Sequence, residues 1–342
     1  MKKLLLLGGI IGSAWPLLAG HFPLCMYGVD DPADLATLKK AGFTCIQSYQ
    51  KEPEKLAPLA RQAQKLGMQV VFHPQQVLGS AYQEQARNWP VLAWYIVDEP
   101  DVWQWSRARV QAEQDRVRQA FAAHSNALVI GQGRTATPYY DLPDHLMVDW
   151  YPVPHLPLTS FGDQVRYAKA GQTAYAVADR PLWGVVQTFN WKEYKQHRPD
   201  EDRIGRFPTQ AEIRFMSYDG ILNGATGLFY FIFTTEGIAL PKAQPTWWAH
   251  VKAVSQEIAR LRPVLEEGIL TEGSLTTEPP LAVQARKYKN HLYLILLNRS
   301  SQPIAVPAEL LSRKYKKLFI QKKTAEVAPF DVWVLKKKIT DK

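Results

Sequence analysis

Two cysteines, Cys25 and Cys45, are all that 342 residues contain, too few for a disulfide scaffold or a cysteine-ligated metal site. Equally missing are a metal-ligand cluster, a phosphate-binding loop, a nucleophile elbow and a dinucleotide fingerprint. Those gaps leave no expected metal or cofactor and remove nucleotide, nicotinamide and serine-hydrolase chemistry from consideration. Beyond residue 20 no segment is long and apolar enough to cross a bilayer. What is present is a 46% hydrophobic fraction, ample for a sizeable core, and a wealth of aromatic residues.

Residues 1–20 carry Lys2 and Lys3, a leucine-rich segment, and the small pair Ala19-Gly20, the pattern of a secretory signal peptide. The expected destination is outside the cytoplasm, periplasmic or secreted. The two cysteines fall on neighbouring predicted strands and could pair in an oxidising compartment; two separate buried thiols are the expected state, because free cysteine is among the most buried residue types. Net charge is +9, and from Glu266 onward 14 Lys and Arg face 8 Asp and Glu. These lysines (Lys314, Lys316, Lys317, Lys322, Lys323 and Lys336 to Lys338) lie in or beside strand-like segments and lack the aromatic interleaving of a nucleic-acid binder. They read as a solvated face protecting strand edges, with weak attraction to anionic envelope polymers as a secondary expectation.

From Leu24 to Leu261 short apolar runs alternate with helical patterns. Strands are predicted at Leu24–Val29, Phe43–Ser48, Met68–Phe72, Val91–Val97, Ala127–Gly131, His145–Trp150, Pro181–Gln187 and Ala225–Phe233. Helices fall between them, including a long one over Trp103–Ala123; Gly42 and Gly67 serve as C-terminal caps, and Pro208-Thr209 opens a later helix. Eight strands in β/α alternation over about 240 residues predict a (β/α)8 TIM barrel. From Glu266 the period changes to short strands without intervening helices, with a turn at Lys289-Asn290, as in a small antiparallel β domain. The expected organisation is therefore signal peptide 1–20, barrel 21–265 and β domain 266–342.

Barrel enzymes keep their chemistry at the carboxyl ends of the strands. The sharpest such end is Trp94 to Asp101, reading WYIVDEPD, where an apolar run stops at Asp98 and Glu99. A glutamate fixed there beside aromatic rings can have its pKa raised by desolvation and act as a general acid near neutral pH. Other polar residues fall at neighbouring ends: Asp30, His73, Gln75, Gln132, Arg134, Asp149, Tyr151, Gln187, Tyr230 and Glu236. Asp30 and Asp98 could equally cap the next helix, and a histidine before a proline is usually structural. Trp94, Tyr95, Trp103, Trp105, Trp150, Phe189, Trp191, Trp247 and Trp248 crowd the same loops. About half belong in a core, but exposed aromatic faces are what stacking on pyranose rings requires.

With these motifs in hand the chain resembles the clan A glycoside hydrolases, in particular family 42-like and related bacterial barrels carrying WY-x-x-DEP at strand four. The resemblance extends through D-x-YP at Asp149, Tyr151 and Pro152, the segment PLWGVVQTF, the helix from Arg206 to Tyr218 and NGATGLFYF. It implies a carbohydrate substrate, Glu99 as general acid/base, and Asp98 where the clan usually has an asparagine contacting the sugar 2-hydroxyl. The clan's nucleophile, a glutamate ending strand seven, is replaced by Gln187, and an amide cannot form the glycosyl ester. Another carboxylate (Asp149, Glu236, Glu193 or Glu201), a nucleophile supplied by the substrate, or sugar binding without cleavage are the remaining alternatives. Asp30, His73, Asp98, Gln132, Tyr151, Gln187, Trp191 and Tyr230 are the expected substrate contacts.

Overall fold

The computed structural model describes residues 21–193, 204–235, 237–271, 280–319 and 324–339. Parallel strands β1 (Leu24–Met26), β2 (Cys45–Gln47), β3 (Gln69–Phe72), β4 (Val91–Asp98), β5 (Asn126–Ile130), β6 (His145–Asp149), β7 (Leu182–Gln187) and β8 (Gly227–Phe231) close into a barrel in chain order. All eight predicted strands are there, trimmed by a residue or more at most ends.

Outside the barrel lie α1 (Leu35–Lys40), α2 (Pro53–Lys65), α3 (Gln83–Ala86), α4 (Arg107–Ala120), α5 (Ser160–Ala174) and α6 (Gln210–Leu222). A ribbon of β9 (Thr234–Thr235) and β10 (Ile238–Ala239) leads through α7 (Leu240–Ala243) into α8 (Pro245–Glu267). Gly42 and Gly67 follow α1 and α2 at φ +97° and +61°, the left-handed backbone a glycine cap tolerates without strain. Thr209 and Glu212 form a reciprocal capping box at the start of α6, satisfying two backbone donors. The long predicted helix is shorter than expected: Ser106 caps α4 by accepting from Arg109 N–H, so Trp103 and Trp105 sit in the β4–α4 loop.

Two apolar layers result from the period of two along each strand. Outward residues such as Leu24, Ile46, Val70, Trp94, Leu128 and Leu228 pack under the helices. Inward residues, among them Cys25, Tyr27, Cys45, Val71, Tyr95, Val129, Met147, Trp183, Phe229 and Phe231, fill the barrel. Cys25 and Cys45 lie directly opposite one another on β1 and β2 and are joined as a disulfide. This corrects the expectation of separate thiols: parallel pairing in register places both side chains on the inner face, within bonding reach.

Beyond α8 an antiparallel sheet runs in the order β11 (Ile269–Leu270), β12 (Leu281–Tyr288), β13 (His291–Asn298), β17 (Val332–Lys338), β15 (Lys316–Leu318). The pair β14 (Ile304–Ala305) and β16 (Glu326–Val327) and the short α9 (Ala308–Leu311) complete this region. Arg299 ties the sheet to the barrel, pairing with Asp163 at 3.0 Å and Asp219 at 2.8 Å. Arg214 does the same through Glu257 at 2.9 Å and Asp331 at 3.1 Å. Lys316 and Lys317 lie on the outer strand β15, while Lys336 to Lys338 lie on β17, between β13 and β15; the Lys317 ammonium stands 3.2 Å from the Trp333 ring centroid and that of Lys337 5.2 Å from that of Tyr315. Charged heads on aromatic stems leave the edge poor for further pairing. Lys322 and Lys323 lie outside the described residues. Among the described residues no helix is long and apolar enough to cross a membrane.

Candidate active site

The mouth is shaped by an irregularity in β4. Tyr95 pairs with Ala127, but Val97 pairs with Leu128 and Asp98 with Val129, so one extra residue is accommodated between them. In an unbroken strand residues three apart face opposite sides; a bulge resets the alternation. Tyr95 and Asp98 consequently share the inner side, and the Tyr95 hydroxyl donates to Asp98 Oδ1 at 2.6 Å.

Glu99 follows with φ +44°, a left-handed backbone that costs a non-glycine residue about 1–2 kcal/mol. Its N–H still bonds to Val129 O at 3.0 Å, while Val102 and Trp103 N–H groups close a turn onto its carbonyl. This turn throws the side chain across the barrel top, over Gly131, where an added Cβ would lie 3.1 Å from Glu99 Oε1. The Gly131 and Gln132 amides are fixed by Asp101, at 3.0 and 2.8 Å.

There the Glu99 carboxyl hydrogen-bonds the Asp149 carboxyl from β6. Asp149 Oδ1 is buried and, Glu99 aside, meets no donor among the described residues, and its other oxygen accepts from the Tyr151 hydroxyl at 3.3 Å. Two carboxylates in contact are stable only when they share a proton. Burial, then the Asp98 charge, raises Glu99 to about 7, although the hydrogen bond to Asp149 opposes the rise. Asp149 is held well above the usual carboxylate range by burial and by Glu99 and Asp98. The pair titrates as a unit and retains a proton near neutrality.

His73 forms the β3 side of the mouth, its ring 4.5 Å from that of Tyr95 and 5.6 Å from that of Tyr49. Gly28 N–H donates to Gln47 Oε1, which orients the amide so that Gln47 Nε2 donates to Ser48 O and to His73 Nε2, at 3.0 and 3.2 Å. Nε2 is therefore an acceptor and the proton sits on Nδ1. Burial, which lowers the His73 pKa to about 4, agrees with a neutral ring. A cavity of about 410 Å³ opens beside it, lined by His73, Gln75, Ile96, Val97, Asp98, Trp103 and Trp105.

No family model matches the sequence, and a search of curated proteins finds no match. Solved structures do match. An α-amylase from Geobacillus thermoleovorans complexed with acarbose superimposes with a TM-score of 0.57 at 12% identity, over 93% of this chain and 99% of that one. A glycoside hydrolase family 5 protein from Bacteroides vulgatus gives 0.59 at 14%, over 93% and 89%. A family 30 endoxylanase from Clostridium papyrosolvens gives 0.55 at 10%, over 94% and 96%. The fold is one that glycoside hydrolases use.

On this barrel the expected site residues separate by where the fold places them. Glu99, Asp149, Asp98, His73 and Tyr151 gather at the mouth, where the Tyr151 ring stacks on Phe231 at 5.4 Å and Trp191 stands 6.2 Å away. Asp30 is exposed and accepts from Ser48 Oγ at 2.5 Å, the neighbouring helical cap falling to Asp31. Gln132 is exposed, its side-chain oxygen accepting from Thr135 on its own loop.

Two assignments need correction. Gln187 is completely buried and its amide is spent: Oε1 accepts from Val153 N–H at 2.8 Å, and Nε2 donates to Val153 O and Phe189 O. It clamps the β6 and β7 loops together and offers a sugar no atom. Tyr230 faces outward, because Phe229 and Phe231 take the inner face of β8; its buried hydroxyl shares a hydrogen bond with Ser217 at 2.9 Å. Glu236 and Glu201 lie outside the described residues. Of the aromatics, Trp94 stacks on Phe121 beneath α4 at 4.4 Å, and Trp247 and Trp248 pack by Phe207 and Phe233. Sequence reasoning missed Tyr27, Gln47 and Asp101. Counting by twos from Cys25 and Cys45 finds the first two; nothing local signals Asp101's hold on the β5 loop.

Proposed function

We propose that this protein is an exported glycoside hydrolase, with the strand-four motif of the family 42-like barrels of clan A and with Glu99 as the general acid acting on an oligo- or polysaccharide. The observation that carries this reading is the Glu99–Asp149 carboxyl pair, a proton store at the carboxyl end of β4 in a barrel of glycoside hydrolase type. Glu99 would donate its proton to the glycosidic oxygen as the bond from C1 to that oxygen breaks. Positive charge on the ring that keeps C1 would face Asp98 and Asp149, the other sugar leaving as the alcohol, and water adding at C1 would return a proton to the pair. An ester at the end of β7 forms no part of this scheme, since Gln187 presents no oxygen nucleophile and its amide is fully engaged. Export is supported by the charge and leucine pattern of residues 1–20 and by the Cys25–Cys45 disulfide, which persists in oxidising compartments.

A second reading, sugar binding without cleavage, is favoured by Gln187, whose engaged amide leaves the end of β7 without a carboxylate. A panel of chromogenic glycosides and bacterial polysaccharides, presented to the wild type and to Glu99→Gln, separates the two. Turnover abolished by Glu99→Gln supports the hydrolase. Full turnover in the variant refutes Glu99 as acid, and saccharide binding without turnover by the wild type establishes the binder.

A further inference from the structure

The cavity beside the carboxyl pair does not include Glu99 in its lining; it shares His73 and Asp98 with the mouth and adds Gln75, Trp103 and Trp105. We infer that it is a separate sugar-binding subsite that takes an uncharged pyranose ring of the same chain whose linkage is presented to Glu99, an inference that rests on the carbohydrate reading above.

Four features carry it. Trp103 is 58% exposed and lines the cavity, so an indole face is open beside polar groups, as stacking on a sugar ring requires. It is held by the turn whose N–H bonds to Glu99 O, and that loop is anchored where Trp105 N–H bonds to Pro100 O and the Tyr139 hydroxyl donates to Pro100 O and Trp105 O. A platform fixed in this way loses little freedom when a ring stacks upon it. The Arg109 guanidinium lies over one face of the Trp105 indole, 3.2 Å from its ring centroid.

The polar groups are the ones that hydroxyls need. Gln75 uses Nε2 on Ile96 O at 3.0 Å, so its amide is oriented with the oxygen as acceptor. His73, with Nε2 occupied by Gln47, has its Nδ1–H as donor. Asp98 is an acceptor oriented by Tyr95. One donor, two acceptors and two indoles suit the equatorial hydroxyls and apolar face of a pyranose. The charge pattern selects further: the lining holds a carboxylate and no lysine or arginine, with Glu99 and Asp101 close in the chain. A uronic acid or sulfated sugar would bring a second negative charge into a partly desolvated carboxylate environment. At about 410 Å³ the space lies toward the lower end of small-molecule sites.

The test uses the full chain carrying Glu99→Gln, to prevent turnover, and titration calorimetry with tetra- to hexasaccharides of glucose, mannose, xylose, galactose and N-acetylglucosamine, and with an oligogalacturonate of matched length. At least one neutral oligosaccharide should bind. Adding Trp103→Ala should weaken it on the order of 10-fold, Trp103→Phe should restore most of the loss, and Gln75→Ala should weaken it severalfold. The oligogalacturonate should not bind. Unchanged affinity in Trp103→Ala overturns the subsite while leaving the carbohydrate reading standing; oligogalacturonate binding that is lost with Trp103→Ala overturns its selectivity for uncharged rings. Absence of any saccharide binding, with circular dichroism confirming a folded protein, overturns both.

Discussion

Replacing Glu99 by glutamine should make the protein more stable at pH 8 and leave its stability nearly unchanged at pH 5. Burial and the neighbouring Asp98 lift the Glu99 pKa from 4.5 to about 7 in the folded chain. Between those two values folded Glu99 holds a proton that the unfolded chain has released, so the Glu99 share of the stability declines as pH rises from about 4.5 to about 7, and the raised Asp149 continues the decline above that. The gap corresponds to about 3 kcal/mol. Glutamine is nearly isosteric with protonated glutamate and can donate to Asp149, so the variant should avoid this loss. For a chain of this size the effect on the melting temperature at pH 8 is on the order of 5 °C upward. Differential scanning calorimetry of both proteins at pH 5 and 8 measures it. An equal difference at both pH values, or a variant less stable at pH 8, would refute the proposed proton-sharing pair. A gain in stability on disabling the acid is the expected signature of a strained functional group.

Further outcomes follow from the same geometry. Gly131→Ala should cut turnover at least 10-fold with little change in unfolding temperature, because the new Cβ meets Val102 at 2.6 Å and Glu99 Oε1 at 3.1 Å and displaces the acid; steady-state kinetics with the substrate found by the glycoside panel would check it. Gln187→Glu should destabilise by about 2–4 kcal/mol in denaturant titration and create no retaining activity, since a carboxylate cannot replace the donors to Val153 O and Phe189 O. Removing the Cys25–Cys45 link in a double alanine variant should cost about 3 kcal/mol, given a sequence separation of 20, and the wild type should show no free thiol until unfolded and reduced. Arg299→Ala should cost about 3–5 kcal/mol because it leaves Asp219, completely buried, without its partner; a loss within 1 kcal/mol would show that this pairing does not fasten the sheet to the barrel.

Much of this was legible in the residue order. Parallel strands buried on both faces are continuous apolar runs, and Gly42, Gly67 and Thr209 mark helix ends by local backbone and capping chemistry, so the eight strands and most of their helices could be read directly. The start of α4 was misplaced because the aromatic residues Trp103 and Trp105 fit a helical stripe as well as a loop; the Ser106 cap decides between them. Tyr230 was misassigned because an aromatic residue at a strand end has no mark of which face it takes.

Period, turn residues and length were enough to read the barrel, the antiparallel sheet that follows it, and the position of Glu99 at the end of β4 from residue order. That Asp149 pairs with Glu99, that Gln187 clamps two loops and that Cys25 meets Cys45 emerge from the folded chain alone. Each depends on residues between 20 and 50 positions apart. Their relation is set by the register of neighbouring strands and by one bulge in β4, which no local preference encodes.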